Sequence, residues 1–227
     1  MLTLLMLFAV IQDSPAQEIK APKLQEEINS RCKEDQDARF AFINFMKKTQ
    51  TKTRKVDGKT VFETPPDQAA ELQNLMKAMQ DIDKKNLARM KEVVQEHGWP
   101  GKSLIGEQGA HNAWLLVQHA DTDRDFQELC LEKMNALPHG EVAAVDVAYL
   151  TDRVLVGRGK PQKYGTQTKV ENGKATPLPI DDEAHVDQRR KALGLEPLAA
   201  YLQQVEKMYG GSTSEGADRA KDEKPPG

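Results

Sequence analysis

The chain has 227 residues, of which 38% are hydrophobic, 30% charged and 5% aromatic; these proportions suit a soluble protein of one compact domain or at most two small ones. Lys plus Arg (32) nearly balance Asp plus Glu (35), leaving a net charge of -3 and no reason to expect nucleic acid as a partner. The only long apolar run is N-terminal, which excludes a transmembrane bundle.

That run, Met1 to Ile11, is too short to cross ~30 Å of hydrocarbon as a helix and matches the apolar core of a secretory signal, although no Lys or Arg precedes it. Ser14-Pro15-Ala16 puts small residues where a signal peptidase reads. Cleavage after Ala16 is expected, so residues 1–16 read as a signal peptide and the mature protein as extracytoplasmic, periplasmic or secreted, with no transmembrane span.

From Lys23 to Lys48, Leu24, Ile28, Cys32, Phe42, Phe45 and Met46 recur at helical spacing, which predicts an amphipathic helix. The connector 47–63 is basic, and Thr and Val around Asp57-Gly58 favour a short hairpin there. It reads as a solvated link or as a contact for an anionic surface. Thr64-Pro65-Pro66-Asp67 starts a second long helix, with a stripe running from Leu72 to Val94 and a stop at Gly98-Trp99-Pro100. Its stripe needs a partner, and the first helix is the obvious one.

Glu107 to Ala120 predicts a third helix. Thr122 with Asp125 reads as the cap of a fourth, which buries Phe126, Leu129, Cys130 and Met134. Val142 to Val156 is apolar almost throughout and favours a buried helix, with a central strand over 143–150 as the alternative. Gln162 to Val170 alternates, Asn172-Gly173 turns, and Lys174 to Ile180 returns, giving a hairpin over about 162–180. Asp181 caps a further helix ending at Gly194, and Pro197 opens the last. Residues 17–209 therefore read as a single domain, and 210–227, Gly, Ser, Pro and charge without a large apolar residue, as a disordered tail. The expected class is mainly α (α+β), a helical domain with a long antiparallel helix pair and one small β-hairpin.

Cys32 and Cys130 are the only thiols. An oxidising compartment lets such a pair close, and the alternative is two half-buried free thiols.

Two polar groupings stand out as sites. At the end of the third helix, Gln118-His119-Ala120-Asp121 sets a His two residues before an Asp, a general acid–base pair or else a helix-end arrangement. Tyr149-Leu-Thr-Asp152-Arg153 and Gly159-Lys-Pro-Gln162-Lys-Tyr164-Gly-Thr166-Gln167 gather polar groups beside an apolar segment; Asp152 and Arg153 are either a buried pair that fixes the hairpin or substrate-facing groups. Asp121, Asp123, Asp125 and Glu132 imitate a calcium loop, but Phe126 stands where that loop needs glycine. The five histidines lack zinc-ligand spacing and there is no G-x-S-x-G, so no metal or cofactor is expected.

The blocks HGWP (97–100), LVQHAD (116–121), YLTDRV (149–154), GKPQKYGTQ (159–167) and RRKALGL (189–195) resemble an uncharacterised bacterial family, a domain of unknown function, over about residues 66–205. The resemblance implies a mainly helical domain common in exported proteins and supplies no reaction or ligand. The leading expectation is an exported binding or interaction module for a small molecule or an envelope protein. Its polar groove has His119, Asp121, Asp152 and Arg153 as candidate catalytic groups and Gln118, Gln162, Tyr164 and Gln167 as binding groups. The alternatives are an extracytoplasmic hydrolase with His119 as general base, and a structural protein whose polar cluster is an internal hydrogen-bond network.

Overall fold

The computed structural model describes residues 18–49, 51–56, 59–171 and 173–209. The expected signal peptide, the Asp57-Gly58 turn and the expected disordered tail lie outside them. Among the described residues the chain forms seven α-helices and two two-stranded antiparallel hairpins. The mainly helical class is the one the sequence implied, with a hairpin in the connector as well as near the C-terminus.

Helix α1 (Pro22–Thr49) buries Leu24, Ile28 and Cys32, a stripe at four-residue spacing, and the stripe continues into Asp35. Strands β1 (Lys52–Val56) and β2 (Lys59–Glu63) pair with Thr53 opposite Phe62. The Phe62 ring meets Phe42 edge-on at 5.9 Å and pins this hairpin to α1. After one 3-10 turn at Pro66–Gln68, α2 (Ala69–His97) runs back along α1. Arg89 of α2 bonds Glu27, and Asp83 bonds Arg39, so rising numbers on one helix meet falling numbers on the other. This is the antiparallel pair.

Helix α3 (Lys102–Gln118) is the centre of the molecule, touching α1, α2, α4 (Arg124–Asn135) and α5 (Ala144–Gly157). It is apolar or small on nearly all sides, which a helix surrounded by other helices requires. The regular part starts at Glu107 as the periodicity predicts, because Ile105 and Gly106 break the first turn. Gly106 has φ +73, and a Cβ there would come within 2.9 Å of the Gln25 amide on α1. The core joins Ile28 and Cys32 of α1, Met90 and Val93 of α2, Trp114 and Val117 of α3, Phe126 and Cys130 of α4, and Leu150 of α5.

Three expectations change, at the α4 cap, Leu129 and Asp181, and two open alternatives resolve. The α4 cap is Asp123, which accepts from Phe126 N at 2.9 Å, in place of Thr122, and Leu129 is 43% exposed. Residues 144–157 are helical throughout, so the strand alternative for 143–150 does not form. Cys32 and Cys130 are unbridged, each buried in the apolar core, and burial pushes their thiols up to about 11 and about 12. Asp181 caps no helix: a 3-10 turn at Glu183–His185 leads into α6 (Val186–Ala192), and α7 (Leu198–Tyr209) closes over the second hairpin.

That hairpin is shorter than the alternation suggests. Strands β3 (Thr168–Glu171) and β4 (Lys174–Pro177) pair antiparallel, whereas Gln162 makes one parallel bridge to Ile180, and 163–166 form a turn.

Candidate functional site

The polar groups separate into three assemblies, one of which borders a cleft. The first is a clasp around the 163–166 turn. Asp152 on α5 is fully buried, and its carboxylate accepts from Lys163 N (2.7 Å), Tyr164 N (3.1 Å), Thr166 N (3.0 Å) and the Thr166 hydroxyl (2.9 Å). A carboxylate with four donors needs no counter-ion to be tolerated in the interior. Gln162, also fully buried, donates from Nε2 to Gln167 O and Leu178 O and accepts from Gln167 N. Buried Arg190 donates to Tyr164 O (2.7 Å) and Glu196 O (2.7 Å), and its guanidinium lies 5.0 Å over the Tyr201 ring. Gly165 has φ +71, and a Cβ there would press on Leu198 at 2.8 Å, so the turn packs tightly against α7.

Asp152 and Arg153 are therefore not a pair. Arg153 instead forks onto both oxygens of Asp121 and donates to Gln167 Oε1 at 2.9 Å. This ties the loop after α3 to the hairpin. The turn at α3's end is completed by Gln127, which is 1% exposed and donates to Val117 O and Gln118 O. Neighbouring Gln118 is buried with its Oε1 unpartnered. Three of the four calcium-like acids are employed: Asp121 on Arg153, Asp123 on the α4 cap and Lys91, Asp125 on Arg158.

The second assembly surrounds His119, the cap residue of α3. Its Nδ1 lies 2.9 Å from Asp35 Oδ2 on α1, a contact with α1 in place of Asp121 or Asp152. Arg39, one turn along α1, bonds Asp35 (3.1 Å) and Asp83 of α2 (2.5 Å) and points its Nε at the same imidazole nitrogen. Burial raises Asp35, but the His119 hydrogen bond and charge, with Arg39, outweigh it and hold the carboxyl down at about 2. Burial raises Asp83, against the pull of Arg39. Asp35, Asp83 and His119 bring ligating atoms within 4.8 Å of one another, the spacing of a metal site, and the guanidinium of Arg39 stands among them as the cation. The network stitches α1, α2 and α3 together.

The third assembly involves no residue named in the expected groove. His111 on α3 and Asp146 in the first turn of α5 meet, with Nδ1 3.0 and 3.1 Å from the two carboxylate oxygens. The Asp146 side chain is 4% exposed and that of His111 46%. The ring rests on Trp114, with centroids 5.0 Å apart. The hydrogen bond that His111 donates to Asp146 raises the imidazole above its usual 6.5 against partial burial. The pair borders an open cleft of about 390 Å³, lined also by Lys102, Glu107, Gln108 and Glu141. A buried carboxylate that orients a half-exposed imidazole at Nδ1 leaves Nε2 without a partner among the described residues, an arrangement suited to donating or taking a proton or to holding a ligand. The sequence signal for this pair is weak, since the partners are 35 residues apart, although an acid in an otherwise apolar helix start marks Asp146.

A family model described as a family of unknown function (DUF6624) matches residues 43–213, which includes the basic connector and leaves Asp35 and Arg39 N-terminal to the match. No curated protein and no solved structure matches the chain. By this match over most of its length, the chain belongs to the DUF6624 family of unknown function.

Proposed function

We propose that the protein is an extracytoplasmic binding module that takes a small polar ligand in the cleft beside His111. One observation carries the reading: His111 stands half in solvent with Nδ1 fixed by buried Asp146, and its Nε2 has no partner among the described residues. Most groups of the expected groove are bonded elsewhere, Asp152 and Gln162 to the hairpin backbone, Arg153 to Asp121 and Gln167, and His119 to α1, while Gln118 Oε1 is buried without a partner. They act as the scaffold.

Binding is favoured over catalysis by a serine, threonine or cysteine nucleophile because none of these is among the residues lining this cleft. Export is supported by the apolar segment and Ser14-Pro15-Ala16. Intact-mass analysis of protein from the cell envelope or medium checks it: the mature chain begins at Gln17, and a cytosolic protein retaining Met1 contradicts it.

Saturation-transfer NMR of a polar fragment library against the wild type and His111→Gln tests the binding reading. Fragments whose signals disappear in the variant support it. Fragments that bind both proteins equally refute it.

A further inference from the structure

We infer that the cleft beside His111 recognises an oxyanion, the carboxylate or phosphate group of a small ligand, through His111 Nε2–H and the Lys102 ammonium. The inference rests on the binding reading above and adds the chemical class of the ligand.

Glu107, Glu141 and Asp146 line the cleft, and each already meets an N–H of the chain. Asp146 takes His111 Nδ1 with both oxygens, Glu141 Oε2 accepts Ser103 N at 2.9 Å, and Glu107 Oε2 accepts Lys102 Nζ at 3.0 Å. Glu141 is also wedged in place: a Cβ on Gly101 would come within 2.6 Å of its Oε2. Glu107 and Glu141 each keep a second oxygen without a partner among the described residues, and charged donors remain beside them. A protonated imidazole offers Nε2–H beyond its bond to Asp146, and an ammonium with one acceptor keeps two further N–H groups.

Unspent charged donors in one cavity fit a ligand that brings acceptors, and ionised oxygens make the strongest such bonds. With His111 protonated, the lining groups carry one more negative than positive charge, so long-range attraction does not draw the anion in. Recognition is by direct contact, which implies modest affinity for a bare ion and greater affinity for a ligand that also fills the cleft.

The ring also reports occupancy. The charged groups lining the cleft with it are Lys102 and Glu107 of α3, Glu141 of the preceding loop and Asp146 of α5. An anion against Nε2–H stabilises the imidazolium and raises its pKa further, whereas a cation or a hydroxyl donor at Nε2 stabilises the neutral ring and lowers it.

The test is a set of long-range 1H–15N imidazole spectra of the labelled protein, with His111 assigned by the His111→Gln variant. Inorganic phosphate, acetate and guanidinium chloride are titrated separately. The expected result is a saturable shift of the His111 resonances with phosphate or acetate, an upward move of its pKa, and roughly tenfold weaker binding in Lys102→Ala. The tighter of the two anions distinguishes phosphate from carboxylate. No response to either anion overturns the proposal, as does a downward pKa shift or unchanged affinity in Lys102→Ala. Binding of guanidinium in place of the anions overturns the oxyanion class and leaves the binding cleft standing, and silence toward all three probes removes the class while the fragment experiment decides the cleft.

Discussion

Replacing Asp152 with Ala removes the acceptor at the centre of the hairpin clasp and separates a structural role from a catalytic one. The carboxylate is fully buried and serves Lys163 N, Tyr164 N, Thr166 N and the Thr166 hydroxyl. Lys163 is exposed and Tyr164 half-buried, so their N–H groups can turn to water. Thr166 is 4% exposed, and its two donors have no such recourse. At ~1–3 kcal/mol for each buried donor left unpaired, Asp152→Ala costs ~2–6 kcal/mol. The better helix propensity of Ala returns only ~0.7 kcal/mol or less. Urea unfolding followed by Trp99 and Trp114 fluorescence reads the effect as a fall in midpoint at constant slope. Asp152→Asn falls between the two, because one oxygen is kept while its amide nitrogen faces an N–H. A variant within ~0.5 kcal/mol of the wild type would refute the clasp and return Asp152 to the list of functional groups.

Cys32 and Cys130, raised to about 11 and about 12 by burial, are inert to a thiol reagent in the native protein and react on unfolding; a native protein whose intact mass changes on reduction contradicts this. Asp35, held at about 2 against an ordinary 3.8, contributes stability that is full above pH ~4 and is lost as pH falls toward 2, on the order of 2 kcal/mol. Asp83, raised by burial, works with the opposite sign just above 3.8, and Asp35→Asn flattens the acid limb in melts taken across this range. His111 titrates above 6.5, so its pairing adds stability below 6.5 that is lost as pH rises through the raised value. In Asp146→Asn only partial burial remains to act on the ring, and NMR titration finds the His111 pKa lowered to 6.5 or below.

The helices were legible because their stripes are long: Leu24, Ile28 and Cys32 on α1, and Met90, Val93 and Val94 on α2, repeat with the period of a buried face. Helix α5 was ambiguous for a physical reason. Asp146, Ala148, Leu150, Asp152 and Val154 are the buried positions, and a helix buried over a wide arc can mimic the two-residue period of a strand. The segment 162–166 alternates like a strand but turns, because Asp152 collects N–H groups that a sheet neighbour would otherwise take. Polar density in the sequence marked the hairpin as unusual without telling whether its groups face a ligand or one another.

The network at His119 was half legible. His119 stood out, but its partners are 84 and 80 residues away on α1. The available clue was Asp35 and Arg39 continuing the apolar stripe of Leu24, Ile28 and Cys32, since a charge on a buried face needs an opposite partner on the facing helix. His111 and Asp146 lie on different helices whose packing fixes the pair, so only the assembled fold brings them together.

The central claim is that the ligand-facing nitrogen of this protein is His111 Nε2, with the His119 and Asp152 clusters serving as scaffold. A crystallographic soak with small fragments bearing carboxylate or phosphate groups tests it most directly. The account predicts density in the cleft, with a fragment oxygen within hydrogen-bond distance of His111 Nε2 and of Lys102 Nζ. Fragment density against His119, Asp121 or Arg153 with the His111 cleft empty would contradict it.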